Sequence, residues 1–393
     1  MLIFEKKLIN VLQYAFFGVV CLFALFLFKS EHTLLKTLFY TFFIIALLSS
    51  YNKPLFLSNV RGFKYFILPW CPLLISIFVL ILARGQSSGF STYFHAFLIL
   101  IISFIGLAGL DIKRTWIYYV FSISVILITL LILFDIFQNG LHGTIMGVNK
   151  NRLIPELTML TSTIITAFLI DHEKFSPLLK GITLIAIFLN IISIIFTEVR
   201  TALLVYISLV PFLWLCNKKR FIRLSPYLLS IIFFLVTAFL ITGRLQQGLN
   251  DFILYSTGDS NSSWGIRLEL WKLSIEGFFV KPFLGWGKDA FESMINYGLP
   301  YGVPEFQASN FHSDFFNLLA TSGIVGLLGT VFTIGLLIKD SLTDLPRLSY
   351  IISSLVVGIP GLCWSSNSTA IYLLMIGWLL LYLSSNQFNL RSK

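Results

Sequence analysis

Long apolar stretches alternate with short polar connections along most of this chain. Many of them reach about 20 residues, the length that an α-helix needs to cross the hydrocarbon core of a bilayer. Because lipid offers no hydrogen-bond partners, the backbone of such a stretch must satisfy its own N–H and C=O groups, and a helix does so. We therefore predict an all-α, polytopic integral membrane protein with about 12 spans. The predicted spans are 9–28, 34–50, 63–83, 94–110, 115–137, 153–170, 178–196, 201–216, 224–242, 312–338, 348–362 and 368–385.

One connection differs from the others, because residues 243–311 are much longer and more polar than the rest. This stretch divides the chain into three regions. They are residues 1–242 with the first nine predicted spans, the large loop 243–311, and residues 312–393 with the last three.

The large loop itself contains helical signals. Apolar residues recur at helical spacing at Leu268, Trp271, Ile275 and Phe278. This spacing predicts an amphipathic helix over 263–279 that lies on the membrane surface. A shorter helix is predicted over 288–297, ended by Gly298. Between the two helices, the glycines of the segment 282–287 predict a tight packing turn.

The composition supports a membrane protein, and the distribution of charge predicts its orientation in the bilayer. Hydrophobic residues make up 57% of the 393 residues and charged residues only 12%, whereas about a quarter of an ordinary soluble domain is charged. With the N-terminus inside, 17 of the 28 Lys and Arg residues lie in inside segments, six in short outside segments and five in the large loop. The positive-inside rule therefore predicts cytoplasmic termini and an outside loop. The net charge of +10 then reflects topology and anionic lipids, and it gives no reason to expect nucleic acid.

Arginines on the outside are informative because the positive-inside rule does not require them there. Arg200 lies in a very short outer turn after the seventh span, and Arg267 lies in the first predicted helix of the large loop. The planar guanidinium fork suits phosphate. Taken alone, Arg200 also fits a snorkelling interfacial residue and Arg267 a solvated face residue. Lys150, Arg152 and Arg244 are outside as well and could touch substrate phosphates, although no motif selects them.

A histidine lies where the large loop enters the tenth predicted span. This residue, His312, has a side chain whose ordinary pKa near 6.5 suits proton abstraction at neutral pH. Asp314 and Glu305 are candidates to orient the imidazole. Taken alone, His312 also fits a capping or packing role.

Several other chemistries lack their signatures. The chain contains neither a GxxxxGK[ST] phosphate loop nor an HExxH motif, so ATP hydrolysis and a dedicated metal site are not indicated. Ionisable residues inside the predicted spans are few, with Asp135 near the outer end of the fifth span as the nearest case. An ion-coupled carrier usually needs such residues within its spans.

At these positions the sequence resembles the O-antigen ligase family and the related O-antigen polymerases. The first shared motif is Arg200-Thr201-Ala202-Leu203-Leu204, after the seventh span. The second is Gly265-Ile266-Arg267-Leu268, early in the large loop. The third is His312 followed by Gly323 and Gly326, at 11 and 14 positions further on. The layout of about 12 spans with a large outer loop between the ninth and tenth also fits the family.

The resemblance implies a fold and a reaction. The fold is the membrane glycosyltransferase C type, in a multi-pass protein of the bacterial inner membrane. The reaction moves a polysaccharide from undecaprenyl pyrophosphate to a sugar of lipid A–core on the periplasmic face, with neither a metal ion nor another cofactor. The roles implied by the motifs are a general base at His312 and a pyrophosphate clamp at Arg200 and Arg267, with the helix 263–279 as a lid.

Three other functions stay open on sequence alone. An O-antigen polymerase would use the same donor with a second lipid-linked oligosaccharide as acceptor, and the spacing of the third motif favours a ligase. A transporter of lipid-linked oligosaccharides would need a charged cavity within the spans, and many transporters carry internal repeats. A non-enzymatic membrane scaffold would leave the two arginines and the histidine unexplained.

Overall fold

The computed structural model describes residues 63–84, 91–107, 112–140, 144–145, 148–216, 218–303, 308–361 and 370–391. This part of the chain is helical, apart from one short antiparallel pair, β1 (Thr144–Ile145) with β2 (Val148–Asn149). The helices are α1 (Cys71–Arg84), α2 (Ser91–Leu107), α3 (Arg114–Asn139), α4 (Lys150–Asp171), α5 (Pro177–Thr197), α6 (Arg200–Cys216), α7 (Lys218–Ile241), α8 (Arg244–Ser256), α9 (Ser263–Val280), α10 (Ala290–Asn296), α11 (Asp314–Ser341), α12 (Leu345–Gly358) and α13 (Ala370–Arg391).

The structure supports a helical membrane protein. Within the described residues, four helices are long and apolar enough to cross a bilayer, and they are Phe63–Arg84, Arg114–Asn139, Pro177–Thr197 and Asp314–Ser341. A bent pair, Leu228–Ile241 with Leu245–Ser256, gives a fifth if it is one span broken by 61°. The other apolar helices are shorter. The number of 12 spans and the outside position of the large loop stay predictions, and the spans at 9–28 and 34–50 lie outside the described residues.

Helix α4 occupies the centre of the described part, where it packs against α3, α5, α6 and α12. Hydroxyl groups join it to α12, because Ser162 and Ser353 lie 2.6 Å apart and Thr166 donates to Ser349 over 2.9 Å. Small hydroxyl side chains allow membrane helices to approach closely and to bond across their interface. Because α4 and α12 run antiparallel, these bonds place the N-terminal end of α4 beside the C-terminal end of α12. The N-terminal end of α6 lies at the same place.

Helix α11 is interrupted at Gly323, which has φ 60° and ψ −156°. Its two parts are 314–322 and 324–341. The turn 282–287 fills the break, because Trp286 and Gly287 donate to the carbonyls of Ala320 and Thr321 over 2.8 and 2.9 Å. In return, the N–H groups of Ile324 and Val325 donate to Pro282 and Phe283 over 2.8 and 3.2 Å. Backbone groups freed by a broken helix need such partners, so the packing turn predicted here is confirmed.

The large loop contains one helix that the sequence did not predict, α8, and the helix predicted over 263–279 forms as α9 within a residue of its predicted bounds. Its N-cap is Ser262, whose side chain accepts from the N–H of Gly265 over 3.0 Å. The face that packs against the protein contains Leu270, Leu273 and Gly277. The predicted apolar stripe is a different face, because Ile275 is exposed. The second predicted helix is found at Ala290–Asn296, and the position of α9 on the membrane surface stays a prediction.

Candidate functional site

The turn between α5 and α6 is only two residues long and places Arg200 at the start of α6. Glu198, the residue that ends α5, has φ 54°, a left-handed conformation that lets the chain reverse in so short a turn. The Arg200 guanidinium extends to α8, where a Cβ added to Gly248 would lie 2.5 Å from its Nη1 atom. The absence of a side chain at Gly248 therefore makes room for the Arg200 guanidinium.

Arg267 lies in the second turn of α9 and is half-buried. Its Nη1 atom donates to the carbonyl of Pro360, just after α12, over 3.2 Å, and its guanidinium lies 5.5 Å from the ring centre of Trp264. Burial, and then the neighbouring positive charge of Arg200, lower the pKa of Arg267. An arginine still stays charged at neutral pH. Two mutually repelling cations at one place favour the binding of an anion between them.

His312 lies between the large loop and α11, and it is half-buried. Its φ is 51°, and its backbone N–H donates to Oδ1 of Asn310 over 3.0 Å. Histidine tolerates the left-handed region better than most side chains. Among the residues described, Glu198 and His312 are the two non-glycine positions with positive φ. Such conformations cluster at functional sites, where the surrounding structure imposes them.

These residues line one open cleft of about 590 Å³. The cleft brings together Arg200, Arg267 and His312, which come from α6, α9 and the start of α11. The remaining lining residues are Pro155, Glu156, Thr197, Glu198, Val199, Thr201, Leu204, Gln247, Asp251, Ser263, Trp264, Asn310, Val357, Pro360 and Gly361. The three residues selected by motif are therefore neighbours in space, and their catalytic roles stay predictions.

The other predicted substrate contacts, Lys150, Arg152 and Arg244, stay predictions. Lys150 begins α4, Arg152 lies in its first turn, and Arg244 begins α8, and their side chains fall outside the described part of the structure. Asp314 is buried in the first turn of α11 with its carboxylate against Gly358. Glu305 lies outside the described residues.

Three acidic residues of the cleft were missed by the sequence analysis, and they are Glu156, Glu198 and Asp251. Glu156 is 5% exposed and lies inside the predicted span 153–170. An ionisable residue inside a span indicates a functional site by default. The position of Glu156 inside the span 153–170 was therefore a better indication of the site than Asp135, which lies near the end of its span. No group of three or more His, Cys, Asp or Glu within the described ranges is arranged to hold a metal ion.

Replacing Gly248 with alanine should weaken donor binding without damaging α8. Alanine favours a helix over glycine, and the added Cβ would meet only the movable end of the Arg200 side chain. If Arg200 contacts the pyrophosphate of the donor that the sequence resemblance implies, displacing this one charge-assisted contact should raise the donor KM about tenfold, equivalent to about 1.4 kcal/mol. Steady-state kinetics with purified protein measures this change.

Gly181→Ala is the matched control, because a Cβ at Gly181 in α5 meets nothing within 4 Å. Its donor KM should equal that of the unaltered protein. An unchanged KM in Gly248→Ala would show that the Arg200 guanidinium does not contact the donor in this position.

A comparison with protein families matches the segment that supplies most of the residues that line the cleft. Residues 185–331 match the family model described as O-antigen ligase, while no curated protein matches the chain. The match begins within α5, ends within α11 and includes Arg200, Arg267 and His312. The resemblance stated from the sequence motifs is confirmed. Residues 185–331, which carry Arg200, Arg267 and His312, are therefore similar to the O-antigen ligase family.

Proposed function

We propose that this protein is an O-antigen ligase that transfers polysaccharide from undecaprenyl pyrophosphate to a sugar hydroxyl of lipid A–core. The proposal rests on one observation: Arg200, Arg267 and His312 line the same open cleft. A phosphate clamp and a titratable base are the two functions that this transfer requires, and the family match covers all three residues.

The two arginines would hold the pyrophosphate of the donor. Breaking the bond between the anomeric carbon and the pyrophosphate oxygen leaves the electron pair, and therefore negative charge, on the leaving group. Arg200 and Arg267 repel each other, so an anion that lies between them is stabilised by both. Fixed donors directed at developing charge are among the largest contributions to catalysis.

His312 would act on the acceptor. The oxygen of the acceptor hydroxyl forms the new bond to the anomeric carbon, and its proton passes to the imidazole. The products are the glycosidic bond, undecaprenyl pyrophosphate and a protonated histidine, which returns its proton to water. Binding donor and acceptor in one cleft adds the advantage of proximity and orientation.

The substrates also set the location. Both are lipid-anchored, so the proposal places the protein in the bacterial inner membrane with cytoplasmic termini and with the cleft on the periplasmic side. The distribution of Lys and Arg supports this orientation. The arginines supply the positive charge at the leaving group, and the proposal therefore includes no metal ion and no nucleotide.

A polymerase that joins lipid-linked repeat units is the second candidate, because it would need the same clamp and the same base. The spacing from His312 to Gly323 and Gly326 favours the ligase. The two reactions differ in the acceptor, which is lipid A–core for the ligase and a second lipid-linked glycan for the polymerase.

A strain that lacks the gene tests the proposal. Its lipopolysaccharide is separated by gel electrophoresis, and its pool of undecaprenyl-linked glycan is measured in parallel. Loss of long chains from lipid A–core with accumulation of long polymers on the carrier supports a ligase. Single repeats on the core or on the carrier would indicate the polymerase. Unchanged lipopolysaccharide would overturn both and return the transporter and scaffold to consideration.

A further inference from the structure

Trp271 of α9 forms a hydrogen bond immediately beside the histidine of the cleft. Its indole Nε1 donates to the carbonyl of Phe311 over 3.0 Å. Phe311 is buried and directly precedes His312, so this carbonyl belongs to the peptide unit that leads into the left-handed conformation of His312. A fixed peptide plane on that side restricts the direction in which the imidazole can leave the backbone.

The same helix also holds the chain after His312. The rings of Trp271 and Phe316 stack with centroids 4.8 Å apart and planes 17° apart. The hydroxyl of Ser274, about one turn further along α9, donates to the Phe316 carbonyl over 2.7 Å. Contacts from one helix therefore hold the chain at positions 311 and 316, on both sides of the histidine.

Arg267 lies four residues before Trp271, one turn earlier on α9. The guanidinium that faces the cleft and the indole that holds Phe311 therefore belong to one rigid segment. Arg267 belongs to α9, and the hydrogen bond from Trp271 of the same helix holds the peptide before His312. This bond therefore helps to set the distance between Arg267 and His312, together with the chain at the end of the large loop. In transfer chemistry, an error of 1 Å in such a distance can cost about 100-fold in rate.

We propose that Trp271 is a positioning residue that holds His312 at the correct distance from the pyrophosphate clamp. The proposal rests on the proposed function, because it assumes that His312 acts on the acceptor hydroxyl. The indole N–H touches neither substrate, and it acts through the Phe311 carbonyl. Its loss should impair the chemical step while leaving the donor bound by the two arginines.

Trp271→Phe tests this inference, because phenylalanine keeps a ring against Phe316 and lacks the N–H donor. Trp286→Phe is the matched control, since the Trp286 Nε1 donates to the carbonyl of Gly277 over 2.8 Å, on the same helix but away from the cleft. Each variant loses one bond from an indole to a backbone carbonyl. We expect Trp271→Phe to lower kcat about 10- to 100-fold with an unchanged donor KM. Trp286→Phe should stay within about twofold of the unaltered kcat.

Equal losses of kcat in the two variants, or a change in KM alone, would overturn the inference. If Trp271→Phe does not accumulate in the membrane, Ser274→Ala serves as the second variant. It removes the other hydrogen bond from α9 to the chain around His312, the one to the Phe316 carbonyl. A kcat for Ser274→Ala within about twofold of normal would then overturn the inference. These outcomes differ from failure of the proposed function, in which His312→Ala itself would transfer glycan normally.

Discussion

Replacing His312 with alanine should lower the rate of glycan transfer by about 10²–10⁴-fold, the usual contribution of a general base. The substitution removes the proposed proton acceptor and leaves Arg200 and Arg267 in place, so binding of the proposed lipid pyrophosphate donor should persist. His312 also has a left-handed φ of 51°, a region that histidine enters more readily than alanine, so the substitution is expected to cost less than about 1 kcal/mol in stability. The rate is measured with purified donor and acceptor, and the amount of membrane-inserted protein is measured by immunoblot.

His172→Ala is the control, because His172 lies in the turn after the C-terminal end of α4, whereas the cleft lies near its N-terminal end. That variant should transfer glycan at the normal rate. Normal transfer by His312→Ala would remove the base from the mechanism. Low transfer together with low protein in the membrane would instead assign His312 a structural role.

Gly323→Ala should strongly destabilise the fold. Its φ of 60° and ψ of −156° belong to a region that only glycine readily occupies. An added Cβ would lie 2.6 Å from the backbone oxygens of both Pro282 and Phe283, which cannot move without breaking their bonds to the helix. We expect a loss of about 3 kcal/mol or more in stability. Thermal unfolding in detergent should show a lower Tm, and transfer should fall with it.

Gly335→Ala is the matched control, because Gly335 lies in the same helix and a Cβ there meets nothing within 4 Å. Its Tm should equal or slightly exceed that of the unaltered protein, since alanine is the better helix former. A Tm for Gly323→Ala equal to that of Gly335→Ala would show that the break in α11 is not required for the fold.

The break in α11 connects the fold to the site. The part 314–322 begins beside His312 and ends at the carbonyls that the turn 282–287 satisfies. Arg84, at the end of α1, donates to the Leu284 carbonyl and holds this turn from the other side. The segment that carries His312 is therefore fixed by backbone bonds at one end and by α9 at the other.

The motif residues were accessible to sequence reasoning because their chemistry is unusual for their location. Arg200 and Arg267 lie between the predicted spans and His312 begins the tenth, and the structure places all three in one cleft. The acidic lining was missed. Glu156 follows Pro155 in a mainly apolar predicted span. Only the packing of α4 against α12 and α6 brings this residue to the cleft.

The sequence by itself determined the helices, because a backbone in lipid must satisfy its own hydrogen bonds over a bilayer's thickness. The predicted spans 115–137 and 178–196 are found at Arg114–Asn139 and Pro177–Thr197 for that reason. Only the tertiary structure decided where α11 breaks, since the partners of Ala320 and Thr321 come from a turn far earlier in the chain. It also decided which face of α9 is buried, because two faces of this helix carry apolar residues at helical spacing and only the packing partners select the one with Leu270, Leu273 and Gly277. The spacing of apolar residues within one segment indicates which side of that segment faces water or lipid. The cleft, in contrast, depends on contacts between segments that are distant in the sequence.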